Sequence, residues 1–155
     1  MEDLQLQFLA QSEDFISPFP FDEDGFCDSW WHRNPGWIHD NETYRIERFQ
    51  LLSNGTELGR AEIMDAELDD NYDGLDVERT FKEISFFEIR ASHRRKGLGA
   101  TFVDLLLKHY GRTAMIAFSE EADDFWSAIG WEYVPRNDGD VTSFRKLFAS
   151  ESKCR

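Results

Sequence analysis

The chain has 155 residues, of which 41% are hydrophobic and 15% aromatic, enough for one domain with its own core and too apolar for a disordered chain. Its 31 acidic residues against 17 basic ones give a formal net charge of −14, which argues against nucleic acid or an anionic membrane as partner and favours cationic partners such as amines. No run approaches 18 apolar residues, the opening "MEDLQLQFL" lacks a basic leader, and Cys27 and Cys154 share no C-x-x-C spacing, so the expectation is a cytoplasmic protein without spanning helix or disulfide framework.

In chain order, "LQLQFL" (4–9) alternates and predicts a strand. Residues 11–40 are irregular, with Pro18, Pro20 and Pro35 and the aromatic cluster "SWWHRNPGW". "TYRIERFQLL" (43–52) and "ELGRAEIMDAEL" (57–68) predict two strands joined at Asn54-Gly55, the strongest short hairpin signal. The acidic run 65–78 predicts a solvated loop. "FKEISFFEI" (81–89) is the most strand-like segment of the chain and fits a central position. After Gly97, the spacing of Leu98, Phe102, Leu105 and Leu106 predicts a helix ending near Gly111. "TAMIAFS" (113–119) predicts a buried strand and "EEADDFWSAIG" (120–130) a helix with acids in its first turn. "WEYVPR" and "VTSFRKLF" predict a closing hairpin turned at Asn137-Asp138-Gly139. The sum is an α+β domain built on one sheet.

Between strand and helix stands "SHRRKGLGATF", with Arg94, Arg95 and Lys96 beside Gly97 and Gly99 in an otherwise acidic chain. A helix N-terminus offers unpaired N–H groups and partial positive charge, and glycine lets backbone amides come close to a phosphate. The segment therefore reads as a diphosphate site, with a merely solvated basic loop as the alternative. A Walker loop is absent, and "GLGATF" supplies only two of the three glycines of a dinucleotide fingerprint. The four histidines have no metal-ligand spacing, so no metal is expected.

The pattern Arg94-x-x-Gly97-x-Gly99-Ala100 after a hydrophobic strand resembles motif A of the GCN5-related N-acetyltransferase (GNAT) superfamily. The match runs back to Phe87 and Ile89, seven and five positions before the arginine. It runs forward through Ser119, Ala122, Trp126 and Gly130-Trp131, covering roughly residues 81–134.

The resemblance implies one domain over 1–155, with 81–134 as the cofactor-binding core and 1–40 on the acceptor side. It implies a mixed, mostly antiparallel sheet of about seven strands, splayed between the fourth and fifth and flanked by helices. It implies acetyl-CoA as cofactor, its diphosphate held by Arg94, Arg95, Lys96, Gly97, Leu98, Gly99 and Ala100. Its pantetheine arm would lie along Phe87, Glu88 and Ile89, near Ser119 and Trp126. The activity implied is direct transfer of acetyl to a primary amine, a cationic one by net charge, with a homodimer allowed.

Such a transfer needs a deprotonated amine, donors for the thioester oxygen, and a thiolate that can leave. The Phe87 N–H is the candidate oxyanion donor and Glu83 the candidate base. The two-residue strand period puts Glu83, Ser85, Phe87 and Ile89 on one face and Glu88 on the other. A carboxyl among Phe81 and Phe87 is expected to have a raised pKa. Trp126 stands where many members carry a tyrosine acid, and an indole N–H is no such acid. That departure favours a second reading, a non-catalytic acyl-CoA-binding module. Trp30, Trp31, His32, Trp37 and His39 are an acceptor pocket or simple packing.

Overall fold

The computed structural model describes residues 3–10, 17–32, 46–76 and 78–151. Trp37, His39 and Cys154 lie outside them. The elements are β1 (Leu4–Leu9), α1 (Asp28–Trp31), β2 (Ile46–Ser53), β3 (Thr56–Ala66) and β4 (Phe81–Ile89). There follow a 3₁₀ turn (Ala91–His93), α2 (Leu98–His109), β5 (Met115–Phe118), α3 (Asp123–Ala128), β6 (Glu132–Val134) and β7 (Leu147–Ala149).

Among the described residues, seven strands form one sheet in the order β1-β2-β3-β4-β5-β7-β6. Only β4 and β5 run parallel, since the α2 crossover joins them; the other pairs are antiparallel. Asn54 and Gly55, with φ of 49° and 81°, both take the left-handed conformation that a tight β2–β3 turn needs.

The sheet buries its two faces differently. One face carries Phe49, Leu51, Ala61, Ile63, Ile84, Met115, Ala117 and Phe148, covered by Leu98, Phe102, Val103 and Leu106 of α2 and by Trp126 of α3. The spacing of the α2 residues puts them on one stripe of the helix, as expected from the sequence.

The opposite face holds Arg48, Arg60, Glu62 and Glu88, all buried. The segment 17–32 lies over it. Phe26 and Phe19 stack on the Arg60 guanidinium at 4.1 and 5.2 Å, and Trp31 packs edge-on to Phe86 at 6.2 Å. At its far end, Tyr72 and Leu75 of the acidic loop cover Phe81, Ile116 and Leu147.

Two features depart from the sequence expectations. β4 carries a bulge, because Ile63 pairs with Ile84 and Glu62 with Phe86, leaving Ser85 as the extra residue. The closing hairpin forms, with β6 and β7 antiparallel from Glu132–Ala149 to Val134–Leu147, but the turn at Asn137-Asp138-Gly139 widens into a loop and β7 starts only at Leu147. The Asp140 carboxylate accepts the N–H groups of Thr142 and Ser143, both at 2.9 Å, and turns the chain before a strand forms. Asn137 ties this loop to the acidic loop through Asn71 O (2.7 Å) and Asp73 (2.8 Å).

Candidate functional site

β4 and β5 pair over two positions only, Lys82 with Met115 and Glu83 with Ile116. Beyond them the strands part, and a cleft of about 760 Å³ opens between β4 and the β5–α3 segment. Residues 84–89 of β4 form one wall, with Phe118, Ala122, Phe125 and Trp126 opposite. The cleft runs to the N-terminus of α2, where Arg94, Arg95, Gly97, Leu98, Gly99 and Ala100 close it.

The loop owes its shape to two left-handed residues, Arg95 at φ 62° and Gly97 at φ 78°. The first helical bond returns from Thr101 N–H to Gly97 O at 3.2 Å, so the preceding amides at Leu98, Gly99 and Ala100 have no partner within α2. Nothing lies within 4 Å of a Cβ built on Gly97, so this end is open to a ligand.

Gly99 serves a different purpose. A Cβ there would meet the Phe125 ring at 2.8 Å, so its missing side chain lets α3 pack against α2. Open backbone amides, a helix N-terminus and neighbouring guanidinium groups fit a diphosphate.

Arg94 is tied down. Its Nε donates to Ile89 O at 2.9 Å and its terminal nitrogen to Glu88 Oε2 at 3.1 Å. The other Glu88 oxygen accepts from Trp31 Nε1 (2.8 Å) and Cys27 N–H (3.0 Å). Glu88 thus joins the segment over the charged face to the basic loop. Lys96 is exposed and does not line the cleft. Ser119 does not line it either: its buried hydroxyl accepts the Ala122 N–H at 3.1 Å and caps the turn into α3.

The bulge changes the faces of β4. Through pairing, Ile84 and Phe87 stand opposite Ile63 and Ala61 on the helix-covered face. Glu83, Phe86 and Glu88 stand opposite Met64, Glu62 and Arg60 on the charged face. Strict alternation therefore fails at Ser85: Glu83 does not share a face with Phe87, and it shares one with Glu88. Glu83 lies where the strands still pair and is not among the cleft's lining residues.

Its carboxyl is nonetheless raised from 4.5 to about 7, first by burial, then by the negative charge of Glu62, with Arg145 opposing. Trp126 is buried and touches Phe87, Phe125 and Trp131, with centroids 6.3, 5.0 and 4.8 Å away. It supplies wall and packing.

The sequence reading missed Ser85, Phe118, Phe125 and Arg145 on the cleft wall. The adjacent pair Phe86-Phe87 was the available signal, since two large apolar residues in a row break the alternation and mark a bulge.

No family model and no curated protein matches the sequence, but solved structures match the fold. AtaTR bound with acetyl-CoA superposes with a TM-score of 0.63 at 14% identity, covering 96% of this chain and 94% of that one. AtaT complexed with acetyl-methionyl-tRNAfMet gives 0.61 at 13% identity, covering 94% of each chain. The fold is that of the GNAT acetyltransferases. The Bacillus subtilis N-acetyltransferase YlbP, in complex with coenzyme A, gives 0.53 at 11% identity over 66% of this chain. This chain spans 65% of the length of YlbP and 64% of that of an acetyltransferase from Thermus thermophilus. The GNAT fold accounts for the parallel β4–β5 pair, the splay after it and the basic loop leading into α2. Among the described residues no helix is long and apolar enough to cross a membrane, and no group of three or more His, Cys, Asp or Glu is placed to hold a metal.

Proposed function

We propose that this chain transfers an acetyl group from acetyl-CoA to an amine, with both substrates bound together. The observation that carries this reading is the parting of β4 and β5 after Glu83, which joins a cleft to the open amides at the start of α2. Acetyl-CoA supplies the activated acyl group. Gly97, Leu98, Gly99, Ala100 and Arg95 hold its diphosphate, and the freed wall of β4 from Phe87 to Ile89 takes the pantetheine arm. The Phe87 N–H is the donor for the thioester oxygen. Glu83 is the base, since a carboxyl near 7 is half ionised at neutral pH and accepts a proton without holding it too weakly.

The acceptor class is open at one point. A net charge of −14 favours a cationic amine. It gives no ground for excluding nucleic acid, because a protein of this fold, AtaT, is complexed with an acetylated aminoacyl-tRNA. An aminoacyl group on RNA also presents a primary amine, so the acceptor panel must include it.

The test is release of free thiol from acetyl-CoA over polyamines, lysine peptides, protein N-termini and aminoacyl-tRNA. The expected result is acceptor-dependent release, lost by a factor of about 10² or more in Glu83→Gln. Saturable coenzyme A binding without release from any acceptor would replace the enzyme with a binding module, the reading that Trp126 in place of a tyrosine favours.

A further inference from the structure

On the proposed acetyl-transfer reading, Glu83 has the pKa of a base but no place on the cleft wall. The bulged residue next to it does line the cleft. Ser85 is half-buried, and its hydroxyl lies 3.1 Å from Glu62 O and 3.3 Å from Glu62 Oε1. Glu62 Oε2 faces Arg48 Nε at 3.4 Å across the β2–β3 pair. The two oxygens of this buried carboxylate therefore point to different partners, one to a fixed cation and one to a hydroxyl at the cleft.

We propose that Ser85 carries the proton of the acceptor ammonium out of the cleft to the carboxylates of buried Glu62 and half-buried Glu83. The nitrogen–hydrogen bond of the ammonium breaks and its electron pair stays on nitrogen, ready for attack. The proton forms a new O–H bond on Ser85 as the old one breaks, and the released hydrogen bonds to Glu62 Oε1. The Glu62 charge, added to burial, raises the Glu83 carboxyl, so a proton delivered to this face is held more readily than by a free carboxylate.

Arg48 of β2 compensates Glu62, and Arg145 from the loop before β7 opposes the rise at Glu83. On the same face, Arg60 is occupied by Glu57 at 2.8 Å and Glu88 by Arg94, Trp31 and Cys27. The bulge then has a chemical reason: without the extra residue, no hydroxyl of β4 would bridge the cleft and the charged face.

The experiment compares wild type, Ser85→Ala, Ser85→Thr, Glu62→Gln and Glu83→Gln in thiol release, with coenzyme A affinity and thermal midpoint measured on each. The relay predicts that Ser85→Ala lowers kcat about a hundredfold while KM and coenzyme A affinity stay within twofold. Ser85→Thr, which keeps the hydroxyl, stays within about fivefold of wild type. Glu62→Gln removes the carboxylate that takes the Ser85 proton and lowers kcat at least as far as Ser85→Ala does, with coenzyme A affinity again within twofold. A Ser85→Ala enzyme with wild-type kcat, alongside a dead Glu83→Gln, overturns the relay and leaves the acetyl-transfer reading standing. No thiol release from wild type with any acceptor overturns both.

Discussion

The two faces of the sheet are buried by opposite means. Under α2 and α3 the covered surface is apolar throughout, with Phe49, Leu51, Ala61, Phe102 and Leu106 all at 0% exposure. Under the segment 17–32 the covered residues are charged, and Arg60 is as inaccessible as Phe102. The first face is held by the removal of apolar area from water. The second depends on pairing, because a buried charge is tolerated only with a partner of opposite sign. A fold does not need the second kind of surface for stability, so its presence beside the cleft points to chemistry.

The sharpest way to test that contrast is to damage each face in turn. Phe102→Ala on the apolar face should cost about 3–5 kcal/mol in chemical denaturation, since a ring is lost from a packed site. Arg48→Ala on the charged face should cost a similar 3–5 kcal/mol, by stranding Glu62. The double replacement Arg48→Met with Glu62→Leu should recover stability to within about 1 kcal/mol of wild type and still abolish turnover. If the double variant were as unstable as the single one, the pair would be a structural element after all.

A smaller effect is expected from proton linkage. Glu83 ionises at about 7 in the folded protein against 4.5 in an ordinary carboxyl, so between those values the native state holds a proton that the unfolded chain has lost. Stability from this group is present below pH 4.5, falls as pH rises through 7, and levels off above it. Glu83→Gln should therefore be more stable than wild type at pH 8 by about 1–3 kcal/mol and near parity at pH 4.5, as measured by denaturation at each pH. A constant difference across that range would deny the shifted pKa.

At the start of α2, Gly97→Val places a branched side chain at φ 78° and should cost about 1–2 kcal/mol. The smallest effect belongs on the outer surface of α2. Lys108→Ala breaks the exposed pair with Asp104 and should change stability by no more than about 0.5 kcal/mol.

The same contrast explains what the sequence disclosed. α2, β4 and the Asn54-Gly55 turn are local: apolar spacing, a β-rich run and a two-residue signal each specify one element. The basic loop was legible because its charge and glycines stand against an acidic background. The role of Gly99 was not, because its contact is Phe125, 26 positions away in the chain. The face of Glu83 was misread for a related reason. A bulge at Ser85 inverts every later position of the strand relative to the earlier ones, and it is fixed by pairing with β3. The final hairpin pairs as expected, but its second strand is short, because Asp140 side-chain bonds shape the residues before it into a loop.

One titration tests the central claim most directly. Acetyl-CoA added to wild type and to Gly97→Val in a calorimeter should show one saturable equivalent on wild type, weakened roughly tenfold or more in the variant, about 1.4 kcal/mol. Absence of saturable binding to wild type, or undiminished binding to a folded Gly97→Val, would contradict the cleft between β4 and β5 as an acetyl-CoA site.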